Sequence, residues 1–515
     1  MKKLLTWQWL LVLLLALLPA ACTGETTDEF PVTLVVPTAV GTDGEGGTLP
    51  TQPLPTSDPI NAAPTVTLPG DSSGETGTET AVATPTLQPT STPISTPAAP
   101  PETDPSTQTV SGLPLPGISR ELLFIADGSL KLWRQNGQVD TLLPGASSGE
   151  REYQESLLTG DVSSFAVSEN GRFLVAARVT HTEPVSDTLP QTFDILSINL
   201  DSRETRTLVS GAFGVRDLTL SRDGQHMAFV AQTALTEPAA ATYEVRVVQT
   251  GNGSVKLSAS CAVPCGNLAW HPDNQNVVWG SGSVGLQLFN ITAKEPQVLL
   301  ANQPNVAVYA PIAWASNGRF LLLWRSAIEG GDRVVFDIPT GQIMPLPNSF
   351  VYADPHWVDV TWMQDDRLLV SRPQVNGDQL QVPMLEIWRV NPDQGQLALE
   401  ETDTLPVAPS GIAAPFHLLN GRFGFLLYNP ASLDVNGVYI LKGFGDQLDR
   451  VNALWPTTTS WDLTATWNPD GSGVVIRQSS GVFYAPTDQS TLYNVQPALG
   501  QWVGNFYWLP PRPQS

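Results

Sequence analysis

The hydrophobic and polar positions divide the chain into three parts. A short apolar run extends over Leu4–Leu18, and a stretch built of Thr, Pro, Ser, Gly and Ala continues to residue 117. From residue 118 onward, short alternating apolar segments are separated by Asn-Gly, Asp-Gly and Pro-containing turns. Alternation between such turns is typical of β-strands and hairpins. The pattern therefore predicts an all-β region over 118–511, followed by a short tail over 512–515.

A phrase recurs seven times in this region: an apolar strand, a turn centred on Asn or Asp, and a second apolar strand. The turn residues are spaced by 53, 50, 44, 48, 55 and 50 positions, and they are Asn170, Asp223, Asp273, Asn317, Asp365, Asn420 and Asp470. A period of this length, made of four short strands, is typical of a β-propeller blade. Each phrase predicts the two inner strands of a blade, and two outer strands follow it.

The two ends of the region complete each other. Residues 121–144 predict three strands with no inner strand before them, and GNFYWLP near the carboxyl end predicts an inner strand with no partners after it. Joined, they form one further blade, which closes the ring and removes its exposed edges. Seven whole copies and this split one predict eight four-stranded blades. A ring of seven is the alternative, if the divergent copy at Phe416 is not a blade.

Several copies of the phrase carry a family signal. The fragments WHPDN, WASNG, WNPDG and DGSLKLW resemble WD-repeat and TolB-like propeller motifs, which combine a Trp or Phe, a Ser-Pro-Asp-Gly type of turn and an apolar strand. The resemblance covers 118–511 and implies the fold, while it says little about function. A TolB-like propeller also precedes the catalytic domain of prolyl-oligopeptidase relatives. Because five residues follow Pro510, we expect no such peptidase domain here.

The amino terminus predicts export. Lys2 and Lys3 precede the apolar run, and small residues lead up to Cys22, so residues 1–22 predict a signal peptide. The segment LLPAAC resembles the lipobox of bacterial lipoproteins, which implies cleavage before Cys22 and lipidation of that residue. An uncleaved signal anchor is the alternative. In both cases we expect the rest of the chain at the outer face of a bacterial membrane, on the cell surface or in the periplasm.

Residues 23–117 predict a disordered linker. They contain seventeen prolines and eleven carboxylates, with no Lys or Arg. Such a composition buries too little apolar surface to offset the entropy lost on ordering. The linker would span about 50 Å as a flexible coil and about 290 Å as a polyproline II helix. We therefore expect it to hold the propeller away from the membrane.

Charge and motif content narrow the function. The chain has 26 Lys and Arg against 49 Asp and Glu, a net charge of -23, so the phosphate backbone of nucleic acid would repel it. We therefore expect no nucleic-acid partner. The sequence has no Gly-rich phosphate loop, EF-hand loop or haem signature, and its five histidines fall in different repeats without metal-ligand spacing. We assign no catalytic residue, cofactor or metal site.

Two groups of residues are candidates for a functional face. Cys261 and Cys265 lie four positions apart in CAVPC, and an exported context favours a disulfide between them. Loops that join the second strand to the third, and the outer strand to the next blade, open on the same face of a propeller. Two of these loops place an aromatic and acidic mixture typical of protein interfaces on one rim: Tyr352, Asp354, His356, Trp357, Trp455 and Trp461. The alternative is that these aromatics cap the blade cores.

These observations favour recognition over catalysis. The expected function is that of a membrane-anchored, extracytoplasmic propeller that binds or scaffolds a protein or cell-envelope partner. The alternative is a propeller enzyme or glycan-binding protein that acts on a polysaccharide or small molecule. Asp354 with His356 is the local candidate for such chemistry. The resemblance to TolB-like domains also implies a sensor or envelope-assembly complex as a setting.

Overall fold

The computed structural model describes most of the region that the repeats occupy. The described residues are 115–146, 157–181, 191–233, 242–303, 307–328, 330–351, 359–373, 375–376, 379–429, 435–446, 448–452, 464–478, 481–488, 492–501 and 503–511. The predicted signal peptide with Cys22, and the predicted linker up to residue 114, lie outside them.

The regular secondary structure of the described residues is almost entirely β-strand. In chain order, the strands are β1 (Leu122–Ala126), β2 (Ser129–Trp133), β3 (Val139–Leu143), β4 (Val162–Val167), β5 (Phe173–His181), β6 (Thr192–Asn199), β7 (Thr205–Leu220), β8 (His226–Gln232), β9 (Tyr243–Gln249), β10 (Val255–Cys261), β11 (Cys265–Trp270), β12 (Asn276–Ser281), β13 (Gly285–Asn290), β14 (Gln297–Ala301), β15 (Val308–Trp314), β16 (Phe320–Ala327), β17 (Gly330–Asp337), β18 (Gln342–Pro345), β19 (Asp359–Trp362), β20 (Leu368–Arg372), β21 (Val375–Asn376), β22 (Gln379–Leu380), β23 (Met384–Asn391), β24 (Gln396–Thr404), β25 (Gly411–His417), β26 (Phe423–Tyr428), β27 (Gly437–Leu441), β28 (Leu448–Asn452), β29 (Thr464–Trp467), β30 (Gly473–Gln478), β31 (Gly481–Pro486), β32 (Tyr493–Asn494) and β33 (Val503–Trp508). One short helix, α1 (Gln496–Leu499), precedes β33.

All of these strands except β21 and β22 form eight antiparallel blades of four strands each, and β21 and β22 pair with each other in a separate two-stranded sheet. Blade 1 is β4, β5, β6 and the first part of β7; blade 2 is the last part of β7 with β8, β9 and β10; blades 3 and 4 are β11–β14 and β15–β18; blade 5 is β19, β20, β23 and β24; blades 6 and 7 are β25–β28 and β29–β32; the split blade is β33, β1, β2 and β3. Blades 1 and 2 share one seven-stranded sheet, because β7 runs from one into the other. The fold class is confirmed, and the divergent copy at Phe416 is a complete blade, so the count is eight.

The split blade forms as the sequence predicts. β33 pairs with β1 in antiparallel register, with Leu122 opposite Trp508 and Ala126 opposite Val503. The carboxyl-terminal strand is thus the inner strand of a blade whose other three strands come from the start of the described region. This pairing closes the ring between the two ends of the propeller.

The hydrophobic core lies between blades. The buried apolar residues form eight clusters, and each cluster joins two consecutive blades around the ring. The cluster between blade 7 and the split blade contains Trp133 and Tyr484, whose rings meet edge to face at 5.4 Å. Because every blade packs both of its faces against neighbours, its second strand is largely buried, and all five residues of β20 are buried. We call each contact between consecutive blades a seam.

The recurring Asn or Asp has a direct structural role. In six copies its side-chain oxygen accepts a hydrogen bond of 2.7–3.2 Å from the backbone N–H two residues later. The residue immediately after the marker adopts a left-handed φ of 62–78° in all seven copies. Glycine occupies this place in five copies, and Asn274 and Asp366 occupy it in the others, as expected for residues that tolerate positive φ. These turns join the first and second strands of the blades and define the turn face; the opposite face is the loop face.

Candidate functional site

The predicted rim residues lie in two loops of the loop face. Tyr352, Asp354, His356 and Trp357 follow β18, and Trp455 and Trp461 follow β28. All six lie outside the described residues, so the rim itself stays a prediction. The structure does describe the segment from which the first loop departs, and side-chain and backbone hydrogen bonds hold this segment in place.

A buried ion pair fastens the base of this first loop. The guanidinium of Arg372, in β20, donates to the backbone carbonyls of Pro347 at 2.7 Å and Asn348 at 2.6 Å. It also donates to the Glu386 carboxylate at 2.7 Å, which accepts a second bond from the Trp388 indole at 2.7 Å. Arg372 and Glu386 are only 9% and 6% exposed. A buried arginine with this many bonds holds the carbonyls in place, since leaving any of the groups unpaired costs free energy.

Further bonds fix the next residues of the same loop. The Ser349 hydroxyl donates to the Leu346 carbonyl at 2.7 Å and accepts the Arg333 N–H at 3.1 Å. Val351 and Gly331 then exchange two backbone hydrogen bonds of 2.9 and 3.0 Å. The chain is therefore held from residue 346 to residue 351, where the described part ends. We call residues 346–351 the loop stem.

The cysteine pair forms a second fixed element of the loop face. The structure places a disulfide between Cys261 and Cys265, whose Cα atoms lie 5.7 Å apart. Both cysteines are buried in the seam between blades 2 and 3. Gly282 donates from its backbone N–H to the Ala262 carbonyl at 3.1 Å, which ties the small loop to blade 3. Val263, at the tip, is 61% exposed.

An exposed arginine lies beside this disulfide loop. Arg216 stacks over the Tyr243 ring at 4.1 Å and donates to the Cys265 carbonyl at 3.0 Å. A planar guanidinium stacked on an aromatic ring retains donors at its edge, an arrangement common in protein interfaces. The loop face thus presents polar and apolar groups on supports that the fold holds in place.

The carboxylates of the inner strands do not form a catalytic pair. Asp217 in blade 2 accepts the Asn267 backbone N–H of blade 3 at 3.2 Å. Asp359 in blade 5 accepts the Ala414 backbone N–H of blade 6 at 2.9 Å. Each carboxylate therefore binds the next blade. Within the described ranges, no group of three or more His, Cys, Asp or Glu side chains could hold a metal ion.

The repeated tryptophans join consecutive blades. Four of them donate their indole N–H to a backbone carbonyl of the preceding blade at 2.9–3.2 Å: Trp314 to Ala269, Trp362 to Ala313, Trp467 to Ala414 and Trp508 to Thr466. The fifth, Trp270, is buried with no hydrogen-bond partner for its indole N–H among the described residues. These tryptophans belong to the seams and are not a sugar-binding platform, in agreement with their place in the repeat.

The described histidines of the turn face also have structural roles. His271 donates from Nε2 to the Gly318 carbonyl at 2.8 Å, and its Nδ1 accepts the Asp273 backbone N–H at 3.1 Å. His417 occupies, in blade 6, the place of the repeated tryptophan. Burial lowers the pKa of His417 and of His226, which favours the neutral imidazole in both. His356 of the predicted rim lies outside the described residues.

Sequence reasoning missed the two charged residues that hold the loop stem in place. Arg372 and Glu386 are polar residues inside the apolar runs LLVSR and LEIWRV, which is the one signal that could have singled them out. Their pairing joins adjacent strands, and their bonds reach back to Pro347 and Asn348, which only the folded blade makes visible. The part of the chain that the structure describes contains no helix of the length and apolarity needed to cross a bilayer.

Comparison with known proteins identifies no family at the level of sequence. No protein-family model matches the chain, and no curated protein matches it. Among solved structures, it is similar to a prolyl endopeptidase, with 12% identity, a TM-score of 0.43 and coverage of 68% of this chain and 50% of that one. It is also similar to dipeptidyl peptidase 4 from Porphyromonas gingivalis, with 10% identity, a TM-score of 0.45 and coverage of 71% of this chain and 57% of that one. The similarity to TolB from Acinetobacter baumannii has 12% identity, a TM-score of 0.31 and coverage of 52% of this chain and 61% of that one. The chain thus spans about half to three fifths of the length of these proteins, and the likeness concerns the β-propeller fold alone.

Proposed function

We propose that the protein is a membrane-anchored, extracytoplasmic recognition module. Lipid on Cys22, or an uncleaved signal anchor, would hold it at the membrane, and the linker over 23–117 would set its distance. The loop face would bind a protein or cell-envelope partner at the outer side of the membrane. The disulfide between Cys261 and Cys265 is compatible with such a location, since these bonds persist in oxidising compartments.

The loop stem is the observation that carries this proposal. Arg372, Ser349 and Val351 fix the backbone from which the Tyr352–Trp357 loop departs. A buried arginine is costly unless its partners are present, and here Glu386 and the two loop carbonyls supply them. Pre-organised supports lower the entropy lost on binding. The arrangement supports a binding loop better than a passive connection.

Propeller chemistry is the second candidate, and it finds less support. Asp217, Asp359 and His271 are engaged in bonds between blades. Catalysis would therefore rest on Asp354 and His356, in the first rim loop. Glycan binding would use the rim tryptophans. Both alternatives place function on the same face as recognition does.

The proposal can be tested on the full-length protein in intact membranes. Crosslinking and affinity capture, analysed by mass spectrometry, would compare the native protein with a Trp357→Ala, Trp461→Ala double variant. We expect a reproducible partner that the double variant fails to capture, with an unchanged melting temperature. A matched control is Leu419→Ala, on the exposed part of the turn face, which should leave capture intact.

Two results would contradict the proposal. A double variant that captures the same partner as the native protein would exclude the predicted rim from binding. A large drop in its melting temperature would indicate that the two tryptophans cap the blade cores. If the native protein captures nothing, screening of glycans and small molecules on the same protein tests the second candidate directly.

A further inference from the structure

The outer strands of the blades form the exposed outer circumference of the ring. An outer strand has one paired edge and one edge whose backbone N–H and C=O groups face away from the sheet. Such an edge is a template for pairing with another strand. Natural proteins protect these edges with charged residues, with proline or by making the strand very short.

Seven of the eight outer strands carry one of these protections. Charged residues occupy five of them: Asp140 in β3, Arg206 in the first part of β7, Lys256 in β10, Glu400, Glu401 and Asp403 in β24, and Asp449 with Arg450 in β28. β18 is four residues long and ends on Pro345, and β32 has only two residues.

The outer strand of blade 3 is the exception. β14 has the sequence QVLLA, with no charged residue and no proline. Gln297, Val298 and Ala301 are exposed, and Leu299 and Leu300 are partly buried against the core between blades 3 and 4. A bulge interrupts its pairing with β13. Similar bulges occur in the outer pairs of four other blades and the split blade, so the bulge does not set β14 apart.

We infer that β14 is a self-association edge, at which two copies of this chain pair antiparallel about a two-fold axis. A second copy is the occupant that the edge suits best, because a two-fold axis places the same strand against itself. In β14 this brings no like charges together, whereas in β24 it would bring the carboxylates of Glu400, Glu401 and Asp403 close to those of the second copy. The inference is independent of the proposed function, since β14 lies on the outer circumference of the ring.

The sequence limits this pairing to a closed dimer. Pro296 precedes β14 and Pro304 follows it within three residues of its end, so the uncharged edge is short. Proline lacks the N–H that a ladder needs, and pairing stops there. Among the outer strands that the structure describes, each copy has one such edge, and pairing occupies it in both copies. A two-fold contact of this kind therefore ends at two copies and does not propagate into a fibre.

Pairing of five residues on each side buries little surface. Specific interfaces below about 1,200 Å² are generally weak or transient. We therefore expect a dimer that forms at high protein concentration and dissociates on dilution. A change at the edge should alter its dissociation constant strongly, because a few contacts carry the whole interface.

Sedimentation equilibrium of the full-length protein in detergent tests the inference over concentrations up to roughly 100 µM, where weak interfaces become populated. The native protein should show a monomer–dimer equilibrium. Val298→Lys should raise the dissociation constant at least about tenfold, because it brings like charges close to each other across the axis. Val255→Lys is the matched control, since Val298 and Val255 are 51% and 59% exposed on outer strands. It should leave the equilibrium unchanged.

A pair of oppositely charged variants tests the inference by the recovery of dimers as well as by their loss. Val298→Lys mixed with Val298→Glu should restore dimers that neither variant forms by itself. A native protein that stays monomeric at the highest concentration would overturn the inference. Equal effects of the substitutions at Val298 and Val255 would do so as well. If β14 pairs with a strand of another protein instead, the chain alone is monomeric and the Val298→Lys variant loses that protein, which also rejects the second copy as occupant.

Discussion

Replacing Trp467 with phenylalanine measures what one interblade hydrogen bond contributes to the ring. Trp467 is 4% exposed, and its indole N–H donates to the Ala414 carbonyl of blade 6 at 2.9 Å. The Ala414 backbone N–H is bound by Asp359 of blade 5, so one residue of blade 6 is held from both sides. Gly424 packs against the same ring, and a Cβ added there would lie 2.8 Å from it. Trp467 therefore acts at a point where three blades meet.

The expected magnitude follows from two terms. Phenylalanine cannot donate to the Ala414 carbonyl, and leaving a partly buried acceptor unpaired costs about 1–3 kcal/mol. The smaller ring also loses buried apolar area worth about 1 kcal/mol. Trp467→Phe should thus lower the free energy of unfolding by about 2–4 kcal/mol. Trp270→Phe provides the comparison, because Trp270 is 7% exposed but its indole N–H has no partner among the described residues.

Urea denaturation followed by far-ultraviolet circular dichroism gives both free energies without relying on tryptophan fluorescence. Trp270→Phe should lose mainly the buried apolar area, worth about 1 kcal/mol, so it should be less destabilising than Trp467→Phe by about 1–3 kcal/mol. The dependence of the free energy on urea should be the same in both variants, which checks that they unfold to equally exposed states. Equal losses in the two variants would refute the role given to the interblade hydrogen bond.

Three further predictions concern the seams and the loop face. Burial lowers the pKa of His226 and His417 in the folded protein, so their contribution to stability is present above about pH 6.5 and is lost as the pH falls below it. Thermal melting between pH 7.5 and 5 should show this fall, and His417→Phe should make it shallower; identical profiles would exclude His417 as a cause. Arg372→Met leaves the Glu386 carboxylate buried without the guanidinium that balances its charge, although the Trp388 indole still donates to it, and this should cost about 3–5 kcal/mol in urea denaturation. Adding Glu386→Gln should recover part of this loss, and no recovery would mean that the ion pair is not its source. Cys261→Ser opens a small disulfide loop and should lower the free energy of unfolding in urea by about 2 kcal/mol; an unchanged value would show that this disulfide does not stabilise the fold.

The repeats made the architecture predictable because each signal is local. Asn170 and its counterparts form a turn with their own neighbours, so their spacing reports the blade length directly. The closure of the ring could also be predicted, since GNFYWLP lacks partner strands next to it in sequence and residues 121–144 lack an inner strand. The continuation of β7 from blade 1 into blade 2 was not predicted, because no turn signal distinguishes a shared strand from two separate ones.

The supports of the loop face were not predictable from the sequence. Arg372 pairs with Glu386 on the neighbouring strand and reaches back to Pro347 and Asn348, so its role depends on how blade 5 packs against blade 4. The same holds for Asp359, whose partner Ala414 lies in the next blade. Contacts across seams join residues about one repeat apart, and a repeat pattern reveals the period without revealing which polar side chains use it.

Site-specific photo-crosslinking in intact membranes tests the central claim that the loop face is the recognition surface. A photoreactive residue would replace Ile328, 84% exposed on the loop face, or Leu419, 53% exposed on the turn face. Both positions are exposed and apolar, so the main difference between them is the face of the propeller on which they lie. We expect adducts with a distinct partner from position 328 and none from position 419. Adducts from position 419 alone, or equal adducts from both positions, would contradict it.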